Sequence, residues 1–302
     1  MSARRVEGGA GGVVVVKVGG RVQQDAALAP ALAAAWHTAR AGGGALVVVH
    51  GGGDEVSSLQ RLLGAEPAFV GGRRVTSEGD VETLRMALSG SANKRLVSRL
   101  VSAGAPALGL SGEDASLLVA RRADGPLGCV GEPAAVDIAL LRHLLAGGWL
   151  PVVSPLSRDA AASAAAGGVG ALNVNGDDAA AAVAAALGAD ELLLVADVPG
   201  VLLGGAPAPR LDAADARAAI ASGEARGGMA AKLEAALAAL AGGVARVRVG
   251  DLAALADPAR GTTIVAHHPH HPHHDDRAPG EGDRSRHQQQ SLTAPPLAAH
   301  GV

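Results

Sequence analysis

Tyrosine is absent from the 302 residues, phenylalanine occurs once and tryptophan twice. With Trp36, Phe69 and Trp149 as the whole aromatic set, a platform that stacks nucleic-acid bases is excluded as the basis of function. Cys129 is the lone cysteine, which rules out an intrachain disulfide or a thiolate metal cluster. Charge of one sign is also missing: the net value is −3, so neither nucleic acid nor an anionic membrane surface is attracted globally. No apolar run approaches the roughly 18 residues that span a bilayer. The first residues, Met1 to Glu7, lead into glycines rather than an apolar secretory segment, and the cytoplasm is the expected compartment. Neither a GxxxxGK[ST] phosphate loop nor the paired HRD and DFG motifs of protein kinases occur, so two common phosphoryl-transfer templates do not apply.

What is present is apolar and small. Nearly half the chain, 48%, is hydrophobic, dominated by Ala, Val and Leu, and is enough for a sizeable core. Val13–Val18 and Ala45–Val49 are short β-branched runs of the type buried on both faces of a sheet. Further apolar runs recur at Ala107–Leu110, Leu150–Val153, Leu192–Val195 and Val244–Val249. Helical periodicity marks Asp25–Ala41, Asp80–Ala103, Asp137–Ala146, Asp177–Leu187 and Met229–Ala241. Strands alternating with helices predict an α/β fold, a mainly parallel sheet covered on both faces. The Gly- and Asp-interrupted stretches Ser111–Val130 and Ser157–Val174 are expected as hairpins or lids beside that sheet, with Ala160–Gly170 a mobile loop. From His267 the composition turns to His, Pro, Gln and charge, which predicts a disordered tail over 267–302.

Chemistry concentrates where strands end. Lys17-Val18-Gly19-Gly20 supplies a cation and two glycines at the close of an apolar strand, where a lysine is costly unless it meets an anion. His50-Gly51-Gly52-Gly53 supplies a bare main-chain nest. Asn173, Asn175 and Asp177 alternate along an extended segment and share one side of it. At the start of the following helix, Asp177 or Asp178 could serve simply as its cap. Lys232 lies near the start of another helix, where a cation opposes the dipole and an anionic partner is implied.

These pieces, with Gly72-Arg73-Arg74-Val75-Thr76, Ser91-Ala92-Asn93-Lys94, Ala196 to Gly200, Gly228 to Lys232 and Gly261 to Ile264, form an ordered series. In that series the chain resembles the amino acid kinase family over roughly residues 13–266, and within it the branch that phosphorylates N-acetyl-L-glutamate. The resemblance implies a three-layer αβα sandwich with a lobe for the acylated amino acid over about 13–170 and a lobe for ATP over about 171–266. It assigns Lys17 and Lys232 to the transferring phosphoryl group and Asp177 to holding them. Gly52, Gly53, Arg74 and Asn173 would contact the amino acid. Gly19, Gly20, Asp197, Val198, Gly200, Leu202, Gly228 and Met229 would contact the nucleotide. No protein metal site is implied; Mg²⁺ would ride mainly on the ATP phosphates. Two positions depart from the pattern. Gly176 replaces the usual alanine, and Arg73 stands where an apolar residue is common, leaving open which arginine does the anchoring.

A carboxylate nucleophile is already an anion at neutral pH, so no general base is required and His50 is read as a structural hydrogen-bonding residue. The alternatives are a carrier-protein-linked aminoadipate or glutamate kinase, an N-succinylglutamate kinase, and a catalytically dead amino acid sensor. The resemblance implies a homodimer. Arginine-inhibited relatives add an N-terminal linking helix, but Gly8, Gly9, Gly11 and Gly12 disfavour one here and predict a flexible segment over 1–12, hence a dimer that arginine does not inhibit. The partner is a small molecule, with no nucleic acid and no membrane. Six histidines between His267 and His274 would bind divalent metal only opportunistically.

Overall fold

A computed structural model describes residues 11–162 and 170–266. The tail over 267–302, most of the segment 1–12 and the middle of the Ala160–Gly170 loop lie outside the described residues, and with them the expectations placed there.

The chain runs through β1 (Val13–Val18), α1 (Leu28–Ala41), β2 (Ala45–His50) and α2 (Gly53–Leu62). A small hairpin follows, β3 (Phe69–Val70) and β4 (Arg73–Arg74), and then α3 (Glu78–Leu84) and α4 (Asn93–Ser102). Next come β5 (Ala107–Gly112), β6 (Leu118–Arg122), β7 (Val130–Val136), α5 (Ala139–Ala146), β8 (Leu150–Asp159), β9 (Ala171–Val174) and α6 (Gly176–Leu187). The last part holds β10 (Glu191–Val195), β11 (Leu202–Leu203), β12 (Ala206–Pro207), β13 (Arg210–Asp212), α7 (Ala213–Ala221), α8 (Gly228–Ala241), β14 (Arg246–Gly250) and β15 (Thr262–Val265).

The described residues build an 11-stranded sheet whose centre runs β14-β10-β1-β2-β8, every neighbour parallel. Helices cover both faces, so the expected three-layer α/β architecture is what the chain adopts. The period-two rule divides the layers. Val13 and Val15 of β1, Val47 and Val49 of β2, and Leu192 and Leu194 of β10 join the core shared with α6 and α8. Val16, Val18, Leu46, Val48, Leu193 and Val195 join the opposite core, under α1 and α4. Lys17 therefore belongs to the α6 side and His50 to the α4 side, which sets the chemistry of each.

Three expectations are corrected. The stretches read as pieces beside the sheet are part of it: β6 and β7 pair antiparallel, β6 continues on the end of β8, and β9 pairs with both β7 and β8. The reason is that β8 continues past Ser157 to the buried Asp159 and offers its far end to new partners. The long helix over 80–103 is not regular either. It starts at Glu78, with Ser77 and Asp80 forming a capping box, and passes through a π-helical segment at Arg85–Ala92 before α4. In the first expected helix, α1 begins three residues late, after a 3₁₀ turn over Gly20–Gln24.

Packing at the β6–β7–β9 edge leaves no room for a larger residue at Gly131. A Cβ there would sit 2.8 Å from Cβ of Leu172 and 2.9 Å from Cβ of Ala120. Gly131→Ala is expected to cost about 1–3 kcal/mol by overpacking. A lower urea midpoint at unchanged slope would record it.

Candidate active site

β1 and β2 end side by side, with Lys17 opposite Val49 and Val18 opposite His50. Beyond their carboxyl ends the chain is glycine, and there the main chain can approach a ligand closely. Lys17 folds back over this turn so tightly that a Cβ on Gly19 would lie 2.2 Å from its Nζ. A side chain at Gly19 would therefore displace the Lys17 ammonium from its place beside Asp177.

From the facing layer, α6 presents its first turn. Its N-cap is Asn175, whose side chain accepts a hydrogen bond from the Asp177 N–H at 2.8 Å. Neither aspartate is spent on capping. Asp177 is buried and takes Lys17 Nζ on Oδ1 at 2.9 Å and Lys232 Nζ on Oδ2 at 3.2 Å. Burial pushes the Asp177 carboxyl up, but the two ammonium groups outweigh it and hold the group below its ordinary value. Lys232, one turn into α8, is driven below the ordinary lysine value by burial and by the charge of Lys17, with Asp177 opposing. Two cations share one carboxylate, leaving a surplus positive charge that a further anion would neutralise.

The cleft in front of Lys17 has a volume of about 220 Å³, below the range usual for drug-sized ligands. It brings together Lys17, Gly19, Gly20, Gly52, Gly53, Arg74, Asn173 and Asp177 from the sequence reading. Lys232 joins through Asp177. The remaining nucleotide candidates do not line this cleft. Asp197, Val198 and Gly200 lie in the turn after β10, Leu202 on β11, and Gly228 and Met229 open α8. Asp197 lines a second hollow with Arg21, Ala196, Asp251 and Leu252. Gly200 lies where a Cβ would meet Thr262 Oγ1 at 2.7 Å, and Thr262 Oγ1 accepts from the Val201 N–H, which fixes this turn onto β15.

The β3–β4 hairpin forms one wall. Its two-residue loop, Gly71-Gly72, has positive φ at both positions, as a tight hairpin turn demands. Arg74 donates to Gln60 Oε1 at 2.5 Å, to the Gly53 carbonyl at 2.8 Å and to Ser57 Oγ at 2.7 Å. Its guanidinium carbon sits 4.7 Å from the centre of the Phe69 ring. Asn173 donates to Thr76 Oγ1 at 3.0 Å, tying β9 to the segment just after the hairpin. Sequence reasoning missed Phe69, Ser57 and Gln60 as parts of this wall. Gln60 carried a signal: it occupies the buried face of α2 one turn after Val56, a place for an apolar residue.

His50 is fully buried on the other side of β2. Its Nδ1 lies 2.7 Å from the Gly51 carbonyl, so that nitrogen carries the proton, and Nε2 accepts from Asn93 Nδ2 at 3.0 Å. Asn93 opens α4 and also donates to the Val152 carbonyl, so the ring locks the glycine turn to β8. Burial, with Lys17 and Lys94 nearby, lowers the imidazole to about 4. Among the described residues, no group of three or more His, Cys, Asp or Glu side chains is placed to hold a metal.

Comparison with known proteins gives a consistent relationship. The profile of the Amino acid kinase family matches residues 12–251. An acetylglutamate kinase of Roseiflexus castenholzii is 41% identical over 256 residues, 84% of this chain and 94% of that protein. One from Chloroflexus aurantiacus is 44% identical over 248 residues, 81% of this chain and 94% of the relative. The crystal structure of smu.665 from Streptococcus mutans superposes with a TM-score of 0.73 at 27% identity, covering 84% of this chain and 99% of that one.

A neutral buried His50 has a signed consequence. Its proton is held less well folded than unfolded, so its contribution to stability is complete above pH 6.5 and is lost as pH falls toward about 4. Chemical denaturation of the wild type and of His50→Gln between pH 7 and 4.5 measures the difference. The variant is expected to lose less stability across that interval.

Proposed function

The chain belongs to the amino acid kinase family, and on that footing we propose that it transfers the γ-phosphoryl group of ATP to the side-chain carboxylate of N-acetyl-L-glutamate, forming N-acetyl-L-glutamyl 5-phosphate for arginine biosynthesis. The observation that carries this reading is the Lys17–Asp177–Lys232 arrangement at the rim of a small cationic cleft, joined to the 41–44% identity with acetylglutamate kinases over most of the chain.

A carboxylate oxygen attacks the γ-phosphorus, the bond to the β–γ bridging oxygen breaks, and ADP leaves with the electron pair. No proton moves, which agrees with the absence of a role for His50 beyond holding the turn. Charge on the phosphoryl oxygens and on the leaving group is what must be stabilised. Lys17 and Lys232 are oriented for that by a carboxylate that leaves their net charge positive. The charged side chains that line or adjoin the cleft are Lys17, Arg73, Arg74 and Lys232 against the carboxylate of Asp177, a cationic set that fits phosphate oxygens rather than a bare divalent cation. Mg²⁺ would be held mainly by the nucleotide phosphates and would supply neutralisation of their charge there. Arg74 and Asn173 anchor the amino acid's α-carboxylate, with Gly52 and Gly53 beside it. Gly19 and Gly20 face the phosphates. The turn at Asp197, Val198 and Gly200, with Leu202, Gly228 and Met229, takes the rest of the nucleotide. Residues 13–170 thus serve mainly the amino acid and 171–266 mainly ATP.

The working form in this reading is a cytoplasmic homodimer. Support comes from the outer edge of β5, which pairs only with β8 among the described residues, and from the exposed Leu108 on it. No described helix is long and apolar enough to cross a membrane.

Hydroxylamine trapping of the acyl phosphate, run with N-acetyl-L-glutamate, N-succinyl-L-glutamate, N-acetyl-L-aminoadipate and free glutamate, tests the substrate. N-acetyl-L-glutamate is expected to give the highest kcat/KM; preference for another acceptor would contradict the reading. Lys17→Ala and Lys232→Ala should each lower kcat on the order of 10²–10³ while changing KM far less.

A further inference from the structure

Arg73 and Arg74 follow one another on β4, so their side chains leave it in opposite directions. Both line the cleft beside Asn173. Their commitments differ. Arg74 spends both terminal nitrogens on α2, through Gln60, Gly53 and Ser57. Arg73 reaches to the first turn of α6, where Nη2 meets Asp178 Oδ2 at 3.2 Å. Its other terminal nitrogen, Nη1, is buried and meets no acceptor among the described residues. A buried charged donor without a partner is disfavoured unless something else supplies the acceptor.

We propose that Arg73 joins Arg74 and Asn173 in anchoring the α-carboxylate of the acylated amino acid, and that Asp178 is the positioning residue that holds its guanidinium at the cleft. The proposal rests on the carboxylate-kinase reading above and extends it to a residue pair outside the Lys17–Asp177–Lys232 group. Adjacent aspartates at the start of α6 divide the work. Asp177 serves the two lysines, while Asp178 serves an arginine delivered by the hairpin. The cleft then holds more positive than negative charge, as a substrate carrying two carboxylates requires.

The environment of Asp178 adds a pH dependence. Burial is the main force on its carboxyl, and Asp177 on the same helix, Glu234 on α8 and Glu132 on β7 add repulsion that Arg73 on β4 only partly offsets. The group is raised to about 6. As pH falls through that value Asp178 becomes neutral, Arg73 loses its tether, and substrate binding weakens. The substrate's own carboxylates titrate near 4 and stay ionised over this window.

Titration calorimetry of the full chain with N-acetyl-L-glutamate alone, and separately with MgATP, tests the proposal. Arg73→Leu is expected to weaken amino acid binding roughly ten- to a hundredfold while MgATP affinity stays within about twofold. Arg73→Lys should fall in between, because an ammonium cannot grip Asp178 and a second carboxylate as a planar fork does. Asp178→Asn should weaken binding less and remove the loss seen in the wild type between pH 7 and 5.5. Wild-type affinity in Arg73→Leu, equal loss of both ligands, or an unchanged pH profile in Asp178→Asn would overturn the proposal. Should Arg73→Leu fail to fold, Arg73→Lys and the Asp178→Asn profile decide it. Wild-type protein that binds no N-acetyl-L-glutamate would defeat the functional reading itself, a result distinct from wild-type binding that Arg73 does not affect.

Discussion

One carboxylate shared between two ammonium groups is the constraint on which the rest of the site depends. Asp177 is buried, and a buried carboxylate persists as an anion only because Lys17 and Lys232 lie within hydrogen-bond reach. The lysines, equally, tolerate each other only because the carboxylate stands between them. Each member would be costly alone. Together they form a centre with surplus positive charge, placed at the end of a strand where glycines leave the main chain open to an approaching anion.

The fold supplies this centre through plain alternation. β1 and β2 each send odd-numbered residues toward α6 and α8 and even-numbered residues toward α1 and α4. Lys17 reaches Asp177 by that rule. His50, on the other parity, reaches Asn93, and its neutral ring ties the glycine turn to the sheet from behind. The same turn is therefore held on one side by ionic contacts and on the other by hydrogen bonds. Arg74 and Arg73 repeat the device in the hairpin wall, one bound to α2 and the other to α6.

Much of this was legible in the sequence, and the reasons are specific. Val13–Val18 and Ala45–Val49 could only be buried strands, and a lysine near the end of one called for an anion. The glycines after both strands marked where a ligand could approach. The edge of the sheet was harder to read. β6, β7 and β9 are short and interrupted by Gly and Asp, and their pairing is decided by the far end of β8 rather than by local pattern. The π-helical segment before Asn93 left no periodic signal distinct from an ordinary helix. At Asp177-Asp178 the residue pattern alone left the two equivalent, and only the family resemblance singled out Asp177; it said nothing of Asp178. Only the roughly 100° turn per helical residue, which follows from 3.6 residues per turn, sends one to the lysines and the other to Arg73.

The central claim is that Asp177 holds Lys17 and Lys232 in place at the proposed phosphoryl-transfer site, and Asp177→Asn addresses it with little change of shape. Without the carboxylate, Lys232 loses the charge that opposes burial and Lys17, so it should lose its proton at still lower pH. Measured as kcat against pH with N-acetyl-L-glutamate and MgATP saturating, the variant should show a kcat near pH 7 reduced on the order of a hundredfold. The alkaline fall of the profile should also move to lower pH. A kcat and an alkaline limb that both match the wild type would contradict the account.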